Sequence, residues 1–296
     1  MIYDIRHVTR FDYGGSVKFA RCNLRLKPIH WSGQDLVDYR LTISPSGRTA
    51  PARAEAGLAN VVRLVVEEPV RHLVIESVSR VVVDRPVPMP SDSDPTLGQV
   101  AVAARTSRDP SPAGPANYLF PSPLIPLDRD IAAWCAEDLR PDRPVLEAAI
   151  ELARRIQRDF AFDPEATLVD TAPHEAFMKR GGVCQDFAQI MITGLRAAGL
   201  PAAYASGYIR TIPPPGQARL VGADATHAWV LLWCGPDLGW VGVDPTNGIW
   251  MAGDHIVMAI GRDYGEIAPI DGVVLGSGAQ KMVVSVDVAP LMEVVA

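Results

Sequence analysis

The stretch Gly181-Gly182-Val183-Cys184-Gln185-Asp186-Phe187-Ala188 places a cysteine at a predicted helix start, directly after two glycines that permit a sharp turn. Backbone N–H groups and the helix dipole at such a position favour a thiolate over a thiol, and they can also bind an oxyanion. We expect Asp186 to serve the helix start by hydrogen bonding or charge. A free cysteine is more often a buried structural residue, and three others are interpreted in this way: Cys22, Cys135 and Cys234.

A histidine and an aspartate follow on two predicted strands, 226–233 and 240–244. If the paired positions of this hairpin sum to 471, His227 lies opposite Asp244 with Cβ atoms about 4.5–5.5 Å apart. Asp244 then fixes the tautomer and orientation of the imidazole, while the other ring nitrogen reaches Cys184. A slip of one residue would put the two side chains on opposite faces. The remaining histidines lack such partners in the sequence and are interpreted as structural: His7, His30, His72, His174 and His255.

A metal site is the competing interpretation of cysteine, histidine and aspartate together. Zinc ligands usually stand two to four residues apart in at least one pair, and that spacing is missing here. The sequence also has no glycine-rich phosphate loop and no EF-hand pattern. We therefore expect neither a metal nor a cofactor.

Composition limits the partners and the location. The net charge of −6 argues against nucleic acid and against an anionic membrane surface as main partners. No run of about 18 apolar residues is present, and the alternating start at residues 1–7 is typical of a first strand rather than a signal peptide. The four cysteines form no CxxC pair and a chain of this length needs no disulfides, so we expect a cytoplasmic location.

The pattern along the 296 residues predicts an α+β protein with two structured regions. Residues 1–85 consist of short alternating runs broken at positions 45–47 and 68–69, which predicts an antiparallel β-sandwich domain. Residues 86–126 are rich in proline and predict a linker on the surface of one domain, or else a disordered tether. Within this linker, Tyr118-Leu119-Phe120 could pack near a cleft.

Residues 127–296 predict a core in which helices pack on an antiparallel sheet, followed by C-terminal strands. Helical periodicity and capping residues predict helices over 128–139, 144–156, 175–180 and 185–198. Alternation and β-branched residues predict strands over 203–209, 226–233 and 240–244, and further strands within 255–288.

At these residues the chain resembles the transglutaminase-like superfamily, papain-like cysteine enzymes that include transglutaminases and bacterial cysteine peptidases. The resemblance spans roughly residues 160–247. The resemblance implies Cys184 as nucleophile, His227 as general base and acid, and Asp244 as the group that orients the imidazole. Its motifs are Gly182-Val183-Cys184-Gln185-Asp186-Phe187-Ala188, Gly207-Tyr208, His227-Ala228-Trp229-Val230 and Asp244-Pro245-Thr246-Asn247.

The resemblance extends beyond the motifs and has one visible departure. The N-terminal strands look like the β-rich region that accompanies this core in many bacterial members, as do Gly261-Arg262-Asp263-Tyr264 and the late strands. Gln189 stands where such proteins often carry histidine, about one helical turn beyond the cysteine. This departure concerns specificity more than chemistry.

The expected activity is acyl transfer through a thioester, on a peptide or protein substrate that offers an amide side chain or a peptide bond. Hydrolysis is the favoured outcome, and transfer to a primary amine, which crosslinks proteins, is the alternative. A non-catalytic interaction module on the same fold is the rival class. The oxyanion would be held by the Cys184 N–H and one other donor, for which the candidates are Tyr118, Gln185 and Trp229.

Overall fold

The structure is a computed structural model that describes residues 1–211 and 225–291. A short 3-10 turn covers Pro115–Tyr118. The strands are β1 (Ile2–Lys27), β2 (Gln34–Ser44), β3 (Arg48–Ala52), β4 (Leu58–Val66), β5 (Val70–Val83), β6 (Ala161–Phe162), β7 (Gly181–Gly182), β8 (Ala202–Ile209), β9 (Ala225–Trp233), β10 (Trp240–Asp244), β11 (Ile249–Trp250), β12 (His255–Gly261), β13 (Ile270–Gly276) and β14 (Gln280–Pro290). The helices are α1 (Leu97–Thr106), α2 (Arg129–Cys135), α3 (Val145–Asp159), α4 (Pro173–Lys179), α5 (Cys184–Ala197) and α6 (Tyr264–Ile267).

Strand β1 is long enough to run through two packed layers. Its first half pairs with β5 and β14, and its second half pairs with β4 and β13. Gly14 and Gly15 lie between the two halves, where the chain crosses from one layer to the other, as strands do at the corners of sandwiches. Side chains of both layers share one apolar core, which confirms the predicted antiparallel sandwich: Phe11, Leu73 and Ile75 from one layer, and Val17, Leu24 and Leu64 from the other.

The C-terminal strands belong to this sandwich. The sequence grouped residues 127–296 as one core region, yet β13 and β14 both pair with β1. Alternation predicts that a segment is a strand, but it does not specify which distant strand becomes its partner.

The proline-rich passage contains a helix that the sequence prediction did not include. In α1, Thr96 accepts a hydrogen bond from the Gln99 backbone, and the Gln99 side chain accepts one from the Thr96 N–H. This capping box starts a helix whose Leu97, Val100 and Ala104 are buried in the helical core.

Within residues 1–211 and 225–291, no helix is both long and apolar enough to cross a bilayer.

The second region is built on the antiparallel order β11-β10-β9-β8-β12, and β12 continues the ladder into β4 of the sandwich. The predicted helices are confirmed as elements, with small shifts at their ends. Asp128 caps α2 by accepting from the N–H groups of Asp130 and Ile131. Helix α3 begins directly after Pro144, and α5 is followed by Gly199 in a left-handed conformation.

A cleft arises where two layers leave part of the sheet uncovered. Tyr204, Ser206 and Tyr208 alternate onto one face of β8. The helical core packs on Tyr204, and the sandwich layer of β1, β5 and β14 packs on Tyr208. Ser206 lies between the two packed zones and lines a cavity with its neighbours on β9, Thr226 and Ala228. This gap is where Cys184 and His227 meet.

Gly207 should tolerate no side chain, because a Cβ there would clash with the carbonyl oxygen of Ile256 and lie 2.6 Å from the Trp229 ring. We expect Gly207→Ala to lose about 1–3 kcal/mol of unfolding free energy, since backbone and a buried ring cannot move aside cheaply. Urea denaturation measures the loss. Gly253→Ala is the matched control, because no heavy atom lies within 4 Å of its Cβ; equal stability of the two variants would contradict this packing.

Candidate active site

Cys184 is the first residue of α5 and is half-buried. Val183 precedes it in an extended conformation and has no side-chain acceptor, so it leaves the N–H groups of the first turn uncapped. Asp186 supports this start, as expected, by accepting from the Val183 N–H at 2.8 Å and from the Thr167 hydroxyl at 2.7 Å. Gly182 has φ of +154°, and a Cβ there would clash with the Asp186 carboxylate. The local sequence therefore holds the thiol at an open helix end.

His227 and Asp244 form a buried pair beside that thiol. The distance from His227 Nε2 to Asp244 Oδ2 is 2.8 Å, and both side chains are buried. The Cys184 side chain lies close enough to the His227 ring to contribute to the raised pKa of that ring. Because Nε2 is engaged by the carboxylate, Nδ1 is the nitrogen that remains for the sulfur.

The expected strand register is wrong by two residues. Val243 lies opposite Val230, so the paired positions sum to 473 rather than 471. His227 and Asp244 are therefore diagonal neighbours instead of direct partners. A shift of two residues keeps both side chains on the same face, so the hydrogen bond survives.

The Asp244 carboxylate is saturated with donors. Its Oδ1 accepts from the backbone N–H groups of Thr246 and Asn247, and its Oδ2 accepts from the Asn247 side chain at 2.6 Å. His255 Nε2 lies 3.2 Å from the same Oδ2. Since the Ala252 N–H points at His255 Nδ1, the hydrogen of this ring is assigned to Nε2, which donates to the carboxylate.

His255 corrects the interpretation that this histidine lacks a partner. It is buried, and it shares Asp244 with His227 although eleven residues separate it from the carboxylate in sequence. Strand β12 is antiparallel to β8, which brings His255 opposite Ile209 and close to the end of β9. Only this pairing, which joins distant segments, reveals the contact.

The protonation of the pair follows from its surroundings. Burial lowers the pKa of His227, but the hydrogen bonds and charges of Asp244 and Cys184 outweigh it and raise that pKa to about 10. Burial raises the pKa of Asp244, but hydrogen bonds from His227 and His255 outweigh it and hold the pKa well below its usual range. At neutral pH the site therefore contains an imidazolium held by the Asp244 carboxylate.

Three side chains were candidates for the second oxyanion donor, and the structure corrects two of them. Trp229 stacks near the His227 ring, with centroids 6.0 Å apart, but its indole N–H points at Met251 Sδ, 3.0 Å away. Tyr118 is buried, and its hydroxyl donates to the Pro112 carbonyl oxygen at 2.9 Å. Both hydrogens are therefore engaged outside the cleft, and these side chains act as packing groups.

The third candidate, Gln185, lies on the cleft wall. Its Nε2 donates to the Val169 carbonyl oxygen at 2.7 Å, which leaves the second hydrogen of the amide for a ligand.

Gln189, one helical turn further along α5, is only 2% exposed. The departure from the family pattern at this position therefore lies inside the helix packing.

The cavity around Cys184 has a volume of about 240 Å³ and includes residues that the sequence did not single out. Burial raises the pKa of the Tyr204 phenol well above its usual value, and the nearby Cys184 side chain raises it further. Ser206, Thr226 and Tyr264 also line the cavity. Alternation along the predicted strand 203–209 groups Tyr204 with Ser206, but it does not show that this face is left open.

His227, Asp244 and His255 also have the composition of a metal site, with donor atoms within 4.8 Å of one another. Both histidine Nε2 atoms, however, lie at hydrogen-bond distances from one carboxylate oxygen. An ion would have to replace these hydrogen bonds at about 2.0–2.2 Å from each ligand. The geometry is accounted for by a hydrogen-bonded network.

Comparison with known proteins agrees with this architecture. The family model "Bacterial transglutaminase-like N-terminal region" matches residues 3–82, and the model "Transglutaminase-like superfamily" matches residues 133–245. Proteins of uncharacterised function from Mycobacterium tuberculosis and Mycobacterium bovis are 37% identical over 97% of this chain and 92% of theirs. The chain belongs to the transglutaminase-like superfamily and carries the bacterial N-terminal region.

Two further relatives differ in how much they cover. A protein-glutamine gamma-glutamyltransferase from Pseudomonas aeruginosa is 38% identical over 107 residues, which are 35% of this chain and 16% of that protein. The crystal structure of a candidate cysteine protease from Cytophaga hutchinsonii superposes with a TM-score of 0.77 at 19% identity, covering 99% of this chain and 92% of that one. This second likeness concerns the fold, including the sandwich.

His255→Phe tests the network around Asp244. We expect a loss of about 1–3 kcal/mol of unfolding free energy near pH 7, because the carboxylate loses a buried donor and the Ala252 N–H loses its acceptor. Asp244 has a lowered pKa, so its contribution to stability is present above its unfolded pKa and is lost as pH falls through the folded pKa. The variant raises that folded pKa, so its deficit should shrink at the acid end of a urea-denaturation series.

The control for this variant is His72→Phe. His72 also pairs with an aspartate, Asp12, at 2.6 Å, but 71% of its side chain is exposed. Its loss should stay within about 0.5 kcal/mol at any pH. If both variants lost the same stability, His255 would not be part of the network that holds Asp244.

Proposed function

We propose that this protein catalyses cysteine-dependent acyl transfer at amide bonds of peptides or proteins, with water as the favoured acceptor. The observation that carries the proposal is the buried 2.8 Å contact between His227 Nε2 and Asp244 Oδ2, next to a thiol at an uncapped helix start. Membership of the transglutaminase-like superfamily supports the substrate class. We assign Cys184 as nucleophile, His227 as general acid and base, and Asp244 as the group that orients the imidazole.

In the acylation step, the Cys184 thiolate attacks the amide carbonyl carbon, and the carbonyl electrons move onto oxygen. The Cys184 N–H at the helix start and the free hydrogen of the Gln185 amide are the donors that we assign to this oxyanion. His227, which is protonated because its pKa is raised to about 10, gives its proton to the leaving amine as the C–N bond breaks. The products are a thioester on Cys184 and a free amine, with His227 neutral.

In the second step, neutral His227 removes a proton from water as the water oxygen attacks the thioester. The C–S bond then breaks, which releases a carboxylic acid and restores the thiolate and the imidazolium. Water is the acceptor that we propose for this step.

Transfer to a primary amine is the second candidate activity. Its support is the 38% identity over 107 residues to the protein-glutamine gamma-glutamyltransferase from Pseudomonas aeruginosa. In that case the amine nitrogen replaces the water oxygen as the second nucleophile, and the product is a new amide.

We further propose that the protein acts in a reducing, cytoplasmic setting. All four cysteines are free, and three of them are buried. A nucleophilic thiol stays in its active, reduced form where disulfide formation is suppressed.

Mass spectrometry on a glutamine-containing peptide library separates the possible outcomes. We expect peptide cleavage or deamidation, the latter adding about one mass unit per glutamine, and no adduct when a primary amine such as methylamine is added. Cys184→Ala should fold normally and lose at least about 10³-fold of the turnover, since no other group can form the thioester. Retained turnover would refute the assignment of the nucleophile, and amine adducts would select the transferase alternative.

The pH dependence of alkylation tests the pair without a substrate. We expect iodoacetamide to label Cys184 well below pH 8 and faster than the other cysteines, because burial raises the pKa of Cys22 and Cys234 and raises that of Cys135 to about 12. Asp244→Asn removes the main group that raises the pKa of His227, so the imidazolium is lost at lower pH. Labelling of Cys184 near pH 6 should then slow by about tenfold or more.

Uniformly slow labelling of all four cysteines in the parent protein would favour the non-catalytic interaction module. Asp12→Asn is the matched control for the aspartate substitution, since Asp12 also pairs with a histidine but lies at the surface. It should leave the labelling profile of Cys184 unchanged.

A further inference from the structure

The cleft at Cys184 continues into a second cavity. This second cavity has a volume of about 150 Å³ and shares three lining residues with the first: Thr226, Tyr264 and Pro269. Its remaining lining comes from β1, β13 and β14, the strands of the sandwich. The sandwich layer therefore supplies the wall of a pocket that opens beside the thiol.

We define the sandwich subsite by the residues that line this second cavity but not the cavity at Cys184: His7, Thr9, Ile270, Met282 and Val284. Met282 and Val284 present apolar surface, with 57% and 42% of each residue exposed. No lysine, arginine, aspartate or glutamate is among the described lining residues. A charged occupant would thus lose its hydration and gain no partner.

The polar groups at the base of the subsite are already satisfied. His7 Nε2 lies 2.8 Å from the Thr9 hydroxyl, and its Nδ1 lies 2.9 Å from the Tyr208 hydroxyl. Burial lowers the pKa of His7 to about 4, so the ring is neutral at physiological pH. His7 therefore contributes a flat, uncharged ring to the pocket rather than a charge.

The size of the cavity indicates its occupant. An apolar cavity of about 150 Å³ is large enough for a benzene ring, and the thioether of Met282 offers a favourable contact to an aromatic edge. A third cavity, which shares Ile270 and Met282 with the subsite, extends the groove further across the sandwich. The groove is therefore open at its far end, as a peptide that continues past the pocket requires.

We infer that the sandwich subsite binds an aromatic side chain of the substrate polypeptide, on a residue that flanks the amide attacked by Cys184. This inference rests on the proposed function, and it assigns a role in substrate selection to the sandwich, in which β1 of the bacterial N-terminal region pairs with β13 and β14. The β1 and β14 strands would discriminate against peptides that carry an acidic residue at the same position, because the described lining of the pocket has no cation to receive it.

The experiment compares the rates at which peptide electrophiles label Cys184. The probes are short peptides with a chloromethyl ketone in place of the reacting amide, and they carry phenylalanine or aspartate at each flanking position in turn. At one flanking position the phenylalanine probe should react at least about tenfold faster than the aspartate probe, which corresponds to 1.4 kcal/mol. Iodoacetamide, which has no flanking residue, reports the intrinsic reactivity of the thiol in the same samples.

Met282→Lys should reduce the phenylalanine preference to below about threefold, because it supplies the cation that the described lining lacks, and it should leave the iodoacetamide rate at Cys184 unchanged. Leu275→Lys is the matched control: this residue of β13 is equally exposed, at 57%, but does not line the subsite. It should keep the full preference.

The two proposals fail in different ways. Selective labelling of Cys184 by iodoacetamide together with equal rates for all peptide probes would overturn the subsite and leave the proposed function standing. An equal loss of preference in Met282→Lys and Leu275→Lys would also overturn it, because the effect would then not be local to the pocket. Absence of selective iodoacetamide labelling would instead overturn the proposed function.

Discussion

The Asp244 carboxylate is the group on which the site depends. It is fully buried, and a buried anion is tolerated only when hydrogen bonds and opposite charge replace its hydration. Two histidines, one asparagine side chain and two backbone N–H groups perform this replacement. Because these donors come from β9, β12 and the turn after β10, satisfying one charge fixes three segments of the chain relative to each other.

Electrostatics and packing converge on the same side chain, His227. The Asp244 carboxylate keeps the His227 ring protonated, although burial alone would make that ring neutral. Trp229 and His255 enclose this ring, with centroids 6.0 and 6.1 Å from it, and so exclude water from the pair. Water exclusion strengthens the hydrogen bond, and the strengthened bond fixes which nitrogen faces the sulfur.

Local signals in the sequence predicted the local parts of the site. The glycine pair before Cys184 and the helical stripe after it predicted the helix start, and strand alternation put His227 and Asp244 on one face. The predicted register was wrong by two residues because a loop of several residues permits more than one pairing. Side chains alternate with a period of two, so a shift of two residues leaves each side chain on the predicted face of the sheet. The helix α1 was missed because the flanking prolines obscured the capping box of Thr96 and Gln99.

Contacts between distant segments could not be predicted from sequence patterns. His255 reaches Asp244 only through the pairing of β12 with β8, and the open face at Ser206 exists only because two packed layers stop short of each other. Likewise, alternation at 280–288 predicts a strand but gives no reason why it should pair with β1. Hydrophobic periodicity specifies which face of an element is buried, and tertiary packing decides what lies against it.

The pairing of β14 with β1 has a consequence for biosynthesis. Tyr13 is paired with Gln280, so the first half of β1, which already pairs with β5, gains its second neighbour only after more than 260 further residues have been translated. Contacts of such sequence separation form late, because loop closure must precede them. The wall that β14 supplies beside Cys184 is therefore completed only long after Cys184 itself has been translated.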